Sequence, residues 1–301
     1  MKVVILGATG YVGGAIASAM AERGHQVVGV ARSERARSEL MRRGIGATGG
    51  DAAQPHTLAA AVADAEAIVY AVSITDADST AVDTKALRAI VDAAATRPGT
   101  ALLYTSTTWV YGNTGEAPAT EDAPLAPAAL AATRPALERI VINAAVREIR
   151  SIVIRAGLPY GNGGGVPAMF ATSARQRGAA MIVGEGKNRW ACVHVDDLAE
   201  CFALALRAAK GGSIFNATDE TSFEVAEVAA AASRGAGARG RVATTPVEAM
   251  GQFGAALALD QCVASQRAQE ELGWRPSRPS VVAELEAGAY APAQQEIACS
   301  A

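Results

Sequence analysis

Glycines near the start of the chain have the spacing of a phosphate-binding turn. They lie between an apolar run and an alanine-rich stretch. Glycine here permits a tight turn, close approach of the backbone to a diphosphate, and close packing of the next helix. The helix would direct its first N–H groups at the phosphates. An ordinary strand-to-helix turn is the weaker alternative, because a second such unit follows. The residues expected to bind a dinucleotide here are Gly7, Thr9, Gly10, Tyr11, Val12 and Gly13.

The residues after the second apolar run indicate which dinucleotide binds. Folds specific for NAD place a carboxylate at the end of this strand to hold the ribose 2′-hydroxyl. Ala31 stands at that place, and Arg32 and Ser33 follow it. A guanidinium pairs well with a phosphate, so we predict NADP(H) as the cofactor, bound by Arg32 and Ser33. Arg35 and Arg37 are interpreted as solvated residues of a helix face.

Strand-type and helix-type segments alternate through the first half of the chain, which positions these residues. Near-continuous apolar runs predict buried strands at 3–6, 27–31, 67–72, 101–105 and 151–155. Helical windows are predicted at 12–23, 33–43, 56–64, 80–95 and 129–147. This alternation predicts an α/β fold with a doubly wound parallel sheet of Rossmann type.

The pattern changes near residue 156, where a glycine-rich loop follows. We predict that 1–155 form the dinucleotide-binding domain and that 189–216, with a strand, a helix and a further strand at 213–217, return to it. The segments 156–188 and 217–290 are assigned to a smaller C-terminal substrate-capping region. The tail 291–301 lacks periodicity and is expected to be flexible.

Composition excludes several classes of partner. The chain has 301 residues, a hydrophobic content of 50% and a net charge of -3, so neither nucleic acid nor an anionic membrane is favoured. No apolar run reaches the ~20 residues that span a bilayer. The 4 cysteines lack metal-type spacing. We expect a cytoplasmic protein with a small-molecule substrate and no metal, and a homodimer is left open.

Further segments, taken in chain order, resemble the extended short-chain dehydrogenase/reductase family, also called the NAD-dependent epimerase/dehydratase family. They lie at 50–51, 104–112, 121–125, 155–161, 193–199 and 271–276. With the glycine turn, the resemblance covers nearly the whole chain and implies the same fold. It also implies that Asp51 contacts adenine, and that Ala71, Val72 and Leu158 lie along the cofactor.

The chain departs from this family at its catalytic pair, Tyr-x-x-x-Lys on the helix after the fifth strand. No tyrosine lies between 112 and 159, and no lysine lies on that helix. Anchoring on Leu137 and Glu138 puts Leu130 at the tyrosine position and Arg134 at the lysine position. Leu130 cannot transfer a proton. Arg134 can donate to ribose hydroxyls but stays charged.

Three hydroxyls remain as catalytic candidates, namely Thr107, Tyr111 and Tyr160. The resemblance places Thr107 where the family polarises the substrate oxygen and the two tyrosines near the nicotinamide. Packing or strand-end hydrogen bonding is the alternative role for each, and water or substrate is the alternative proton source. A tyrosine with no cationic neighbour is a weak acid at neutral pH.

The leading hypothesis is an NADP(H)-dependent oxidoreductase acting on a small organic carbonyl, imine or activated alkene. An imine or conjugated alkene would relieve the need for a strong acid. Synthesis of a specialised metabolite or a deoxysugar is the expected setting. The alternatives are an epimerase, dehydratase or isomerase with retained NADP, or a non-catalytic NADP-binding regulator.

Overall fold

The computed structural model describes residues 1–72 and 79–290, so the predicted flexible tail lies outside the described residues. The first half alternates strands with helices: β1 (Lys2–Leu6), α1 (Tyr11–Glu22), β2 (Gln26–Ala31), α2 (Glu34–Arg42), β3 (Gly46–Gly49), α3 (His56–Val62), β4 (Ala67–Tyr70), α4 (Ser79–Ala94), β5 (Ala101–Thr107), α5 (Arg134–Asn143) and β6 (Arg150–Ala156). The second half comprises β7 (Leu158–Gly161), β8 (Gly164–Gly165), α6 (Pro167–Arg177), β9 (Ala180–Val183), β10 (Cys192–His194), α7 (Val195–Ala208), β11 (Ser213–Ala217), α8 (Val225–Gly235), β12 (Val242–Thr245), α9 (Gly251–Leu257), α10 (Gln266–Leu272) and α11 (Val281–Glu286).

Seven parallel strands form the main sheet in the order β11-β6-β5-β4-β1-β2-β3. This arrangement confirms the predicted doubly wound α/β fold. In its register Leu6 pairs with Tyr70, and Tyr70 pairs with Tyr104, so the ends of β1 and β4 lie beside the middle of β5, which extends three residues further. The apolar pattern does not predict β3, because that strand is short and its residues are exposed or half-buried.

Each face of the sheet buries a separate apolar layer. On one face, α1 and α7 pack together and contribute residues such as Ile16 and Phe202. On the other face, α3, α4 and α5 contribute Leu58, Leu87 and Leu137. Coverage of both faces explains why the strands are near-continuous apolar runs.

A third apolar core lies within the segments that are predicted to form the capping region. It is built from α6, α8 and α11, with the pair β9 and β12. A second small sheet, ordered β10-β7-β8, lies beside it. The segment α7–β11 returns to the main sheet, where β11 pairs with β6.

Two details differ from the sequence prediction. The helix predicted at 129–147 is divided into a 3₁₀-helical turn at Ala129–Ala131, α5, and a second 3₁₀-helical turn at Ala144–Arg147. Part of 217–290 also belongs to the main domain, because α10 and Trp274 join the core beneath α7. Trp274 donates its indole N–H to the Asp197 carbonyl at 2.8 Å. Within the described residues, no helix has the length and apolar character to cross a membrane.

Candidate functional site

The glycine turn between β1 and α1 is tight at two places. Gly7 has a φ of 87°, and a Cβ on it would overlap the Ala71 carbonyl oxygen. A Cβ on Gly13 would overlap the Gly7 carbonyl. Gly10 donates its N–H to that same carbonyl at 2.8 Å and is the N-cap of α1, with no side chain capping the helix. The first N–H groups of α1, including that of Val12, therefore face outward as a diphosphate ligand requires.

Tyr11 connects this turn to the capping region. Its hydroxyl donates to the Gly161 carbonyl at 2.7 Å, and its ring covers Gly164. Burial is the main cause of a raised pKa for this phenol, with smaller contributions from Tyr290 and Glu284. Tyr11 is therefore an uncharged side chain, still 36% exposed, that links the glycine turn to the β7–β8 hairpin.

A cavity of about 300 Å³ opens where β2 ends. Arg32, Ser33 and Arg37 line one part of it. Ser33 caps α2 by accepting a hydrogen bond from the Ala36 N–H at 3.2 Å. The interpretation of Arg37 as a solvated residue of a helix face is incomplete, because its side chain, which is 39% exposed, also lines the cavity. Arg35 is exposed and does not line it.

Carboxylates also reach this cavity. Glu34 lies 3.5 Å from the Arg37 guanidinium, and Asp51 also lines the cavity. Asp51 accepts a hydrogen bond from the Ala53 N–H at 3.0 Å, while its own N–H donates to Thr57 at 2.9 Å. The cavity therefore joins two guanidinium groups near β2 to a fixed carboxylate beyond β3, which suits a ligand with a phosphate and a hydrogen-bonding base.

The remaining predicted cofactor residues lie at strand ends. The Ala71 N–H donates to the Leu6 carbonyl at 3.0 Å, directly beside Gly7, and Val72 follows as the last described residue before the gap. Leu158 begins β7 and is half-buried, with its N–H on the Ala191 carbonyl at 2.7 Å. Thr9 is exposed in the glycine turn.

Two threonine hydroxyls lie on one face at the end of β5. Thr107 is half-buried, and its Oγ1 accepts a hydrogen bond from the Trp109 N–H at 3.3 Å, which leaves its hydroxyl hydrogen for another acceptor. The buried Oγ1 of Thr105 has no hydrogen-bond partner within the described chain. Thr105 was not predicted as a site residue, although strand alternation from Thr107 predicts that both side chains share a face.

Arg134 occupies the start of α5 and reaches back to β5. Its Nη1 donates to the Tyr104 hydroxyl at 2.7 Å and lies 3.4 Å from the Thr105 carbonyl. Tyr70 packs on Tyr104 and donates its hydroxyl to the buried Asp83. Burial, partly offset by Arg134, raises the pKa of Tyr104 to about 12. The guanidinium is therefore a fixed positive charge at the strand end.

Leu130 lies in the 3₁₀-helical turn before α5 and is 41% exposed. Its side chain thus offers apolar surface where the family resemblance implies a phenol. Nothing at this position can exchange a proton with a substrate.

The predicted catalytic roles of Tyr111 and Tyr160 are corrected by their surroundings. Tyr111 is 3% exposed and donates to Asn216 at 2.7 Å while accepting from Arg155 at 2.7 Å. Tyr160 is fully buried, with its hydroxyl 2.8 Å from Asp219 Oδ2. Burial is the main reason why the pKa of each of these phenols is raised. Both hydroxyls are already paired inside the protein and cannot meet a substrate.

A buried polar network accounts for several of the motif residues. Arg155 pairs with Glu138 at 2.7 Å, and both side chains are almost fully buried. Glu138 also accepts from Ser106, while Arg155 reaches Tyr111. This network joins β5, α5 and β6, so these residues fix the strand end that carries Thr107.

Comparison with known proteins agrees with this geometry. The model of the NAD dependent epimerase/dehydratase family matches residues 3–218. The chain belongs to this family. The resemblance inferred from the motifs is thereby confirmed. Sequence relatives include an uncharacterised protein of Schizosaccharomyces pombe, 28% identical over 96% of this chain and 100% of the relative. Another is the 2-alkyl-3-oxoalkanoate reductase of Stenotrophomonas maltophilia, 30% identical over 71% of this chain and 67% of that protein.

The family fold also matches solved structures. The UDP-glucose 4-epimerase of Thermus thermophilus, solved in complex with NAD, superposes with a TM-score of 0.81. The match covers 96% of this chain and 98% of the epimerase at 20% sequence identity. At this identity the likeness concerns the fold, and the cavities must be interpreted from their own residues.

Proposed function

We propose that this chain is an NADP(H)-dependent oxidoreductase acting on a small organic carbonyl, imine or activated alkene. The observation that carries the proposal is the pair of guanidinium groups, Arg32 and Arg37, around the cavity where β2 ends. Ala31 stands where an NAD-specific fold would place a carboxylate. A 2′-phosphate gains two charge-assisted partners there, whereas a 2′-hydroxyl is offered the Glu34 carboxylate, which already lies 3.5 Å from the Arg37 guanidinium.

The rest of the cofactor fits residues already described. The glycine turn and the α1 N-terminus would hold the diphosphate, and Asp51 would meet the adenine. When bound, the nicotinamide supplies or accepts the hydride.

Arg134 and Thr107 would act at the reacting end. Arg134 is held by Tyr104, so its charge can bind the nicotinamide ribose or stabilise a developing oxyanion without reorganisation. Thr107 can donate its hydroxyl hydrogen to the substrate heteroatom. Orientation of hydride donor and acceptor supplies the remaining acceleration. The Stenotrophomonas relative, named as a reductase of 2-alkyl-3-oxoalkanoates, supports a ketone as the acceptor.

A second candidate is a non-catalytic NADP-binding protein. The exposed Leu130 in place of a phenol favours it. A regulator of this kind would bind NADPH and leave every substrate unchanged.

The test is incubation with NADPH and a panel of ketones, imines and enones, followed by nicotinamide absorbance. We expect turnover of at least one class. Thr107→Ala should lower kcat on that substrate about 100-fold or more while the NADPH Kd stays within about twofold. Thr96→Ala, which removes an exposed threonine hydroxyl two residues beyond the end of α4, is the matched control. NADPH binding with no turnover across the panel favours the second candidate.

A further inference from the structure

A small apolar cavity lies in the capping region. Its volume is about 20 Å³, room for little more than one water molecule. The lining side chains are all apolar: Val166, Met169, Phe170, Met181, Val183, Trp190, Val225, Met250 and Leu257. The single polar atom among them, the Trp190 indole N–H, is satisfied by the Leu257 carbonyl at 2.8 Å. An uncharged, water-excluding group is therefore what this cavity accepts.

Methionines make the cavity expandable. Met169, Met181 and Met250 line it, and the chain has 6 methionines in all. Met169 is 43% exposed at its edge, and Met250 is half-buried. Thioether side chains are unbranched and adopt many rotamers, so they can withdraw to admit a ligand. Behind them Phe170 stacks on Trp190 and provides a rigid wall, with ring centroids 5.4 Å apart.

The cavity is joined to the reacting end of β5 by continuous apolar contacts. Trp109, two residues beyond Thr107, packs edge-on against Phe253 at 6.4 Å between centroids. Phe253 belongs to α9, which contacts the 3₁₀-helical turn carrying Leu130. Met250 immediately precedes α9, and Leu257 ends it. Apolar side chains therefore extend along α9 from Trp109 to the lining of the cavity.

The opposite wall is tied to the cofactor turn. Val166 precedes α6 and follows the β7–β8 hairpin, to which the Tyr11 hydroxyl is bonded. Val166 thus links the lining of the cavity, through the hairpin, to the residue that follows the glycine turn.

Among the described residues, the apolar cavity has no free positive charge that could bind a diphosphate. Arg189, which precedes Trp190, is turned to Asp260 at 2.7 Å and to the Gly115 carbonyl at 3.0 Å. Its charge is already paired, and the cavity lining contributes no other cation. A nucleotide-linked sugar would bury its diphosphate here unpaired, at a high desolvation cost.

We propose that the substrate carries an apolar alkyl or aryl substituent, and that this cavity seats it. The proposal rests on the proposed oxidoreductase function and narrows its substrate class. Leu130 then forms part of the apolar wall of the substrate site, in place of a proton donor.

A homologous series of linear ketones, from butanone to dodecanone, tests this with NADPH as reductant. We expect kcat/KM to rise about fourfold per methylene until the pocket is full. Met169→Ala and Met250→Ala should move the optimum to chains about three carbons longer, because each removes three heavy atoms. Met41→Ala, at a 66% exposed site on α2, is the control and should leave the optimum unchanged.

Binding without turnover provides the second measurement. Calorimetry of the same ketones with the NADPH-saturated protein should show that affinity rises with chain length. In the Met169→Ala and Met250→Ala variants, the chain length that binds most tightly should be about three carbons longer. Turnover that does not depend on chain length, or a preference for a nucleotide-linked keto sugar, overturns the proposal. Chain-length-dependent binding with no turnover sustains the cavity assignment while refuting the oxidoreductase function. Absence of ketone binding refutes the assignment itself.

Discussion

Arg134, at the start of α5, donates a hydrogen bond to the hydroxyl of Tyr104 on β5 across 2.7 Å. In the family pattern the position of Arg134 holds a lysine whose partner is a tyrosine four residues earlier. Here the tyrosine partner comes from the neighbouring strand and is buried. The contact keeps a positive charge at the strand end but gives it no proton to relay to a substrate.

Removing this charge should impair turnover more than it impairs folding. We expect Arg134→Met to lower kcat/KM with the preferred carbonyl at least 100-fold, and Arg134→Lys to retain more activity. Tyr104→Phe should have an intermediate effect, because the guanidinium loses its anchor. Steady-state kinetics measure these differences, with Arg139→Met, an exposed position on α5, as control. Equal activity of Arg134→Met and wild type would show that the charge has no role.

Substitution of two glycines with positive φ, one inside the glycine turn and one outside it, should have different costs in stability. Gly7 and Gly24 have φ values of 87° and 77°, but only Gly7 has a neighbouring backbone that a Cβ would overlap. Gly24→Ala should cost about 1 kcal/mol, from backbone strain alone. Gly7→Ala should cost at least ~2 kcal/mol more, and it should abolish NADPH binding. Urea unfolding and fluorescence titration measure both effects, and equal costs at the two sites would contradict the steric argument.

The buried carboxyl of Asp83 should make the free energy of unfolding depend on pH. Burial is the main effect on this carboxyl and raises its pKa, although Tyr70 and Arg134 oppose the rise. The folded state therefore binds the proton more tightly than the unfolded chain does. Its contribution to stability is complete at low pH and is lost as pH rises through the raised pKa.

The measurement is urea unfolding of wild type and Asp83→Asn between pH 4 and pH 8. The free energy of unfolding of wild type should fall relative to the variant as pH increases, because the amide can accept the Tyr70 hydrogen bond without charging. Asp92→Asn, an exposed carboxylate of the same helix, serves as control and should follow wild type. The burial effect would be refuted if the difference in free energy of unfolding between wild type and Asp83→Asn stayed constant with pH. It would also be refuted if wild type became more stable relative to the variant as pH rose.

Much of the fold could be predicted from residue patterns. Apolar runs identify the strands because both faces of the sheet are covered, and the glycine spacing identifies the turn because only that residue fits beside Ala71. β3 was missed because its residues are small and partly exposed, so its pairing with β2 comes from tertiary context.

The candidate site was less predictable from the sequence, because the role of each residue depends on the direction of its side chain. Tyr111 and Tyr160 lie in the expected segments, but their hydroxyls turn into the protein toward Asn216 and Asp219. Arg37 was assigned to solvent because the sequence does not fix which side of α2 faces β3. The Ser33 cap sets the start of that helix and turns Arg37 into the cavity.

The most direct measurement is a fluorescence titration comparing NADPH with NADH. We predict that NADPH binds at least tenfold more tightly, a difference of ~1.4 kcal/mol or more. Arg32→Ala and Arg37→Ala should each weaken NADPH and leave NADH nearly unchanged, while Arg35→Ala should alter neither. Equal affinity for the two dinucleotides, or tighter binding of NADH, would contradict a phosphate-selecting pair of guanidinium groups at the end of β2.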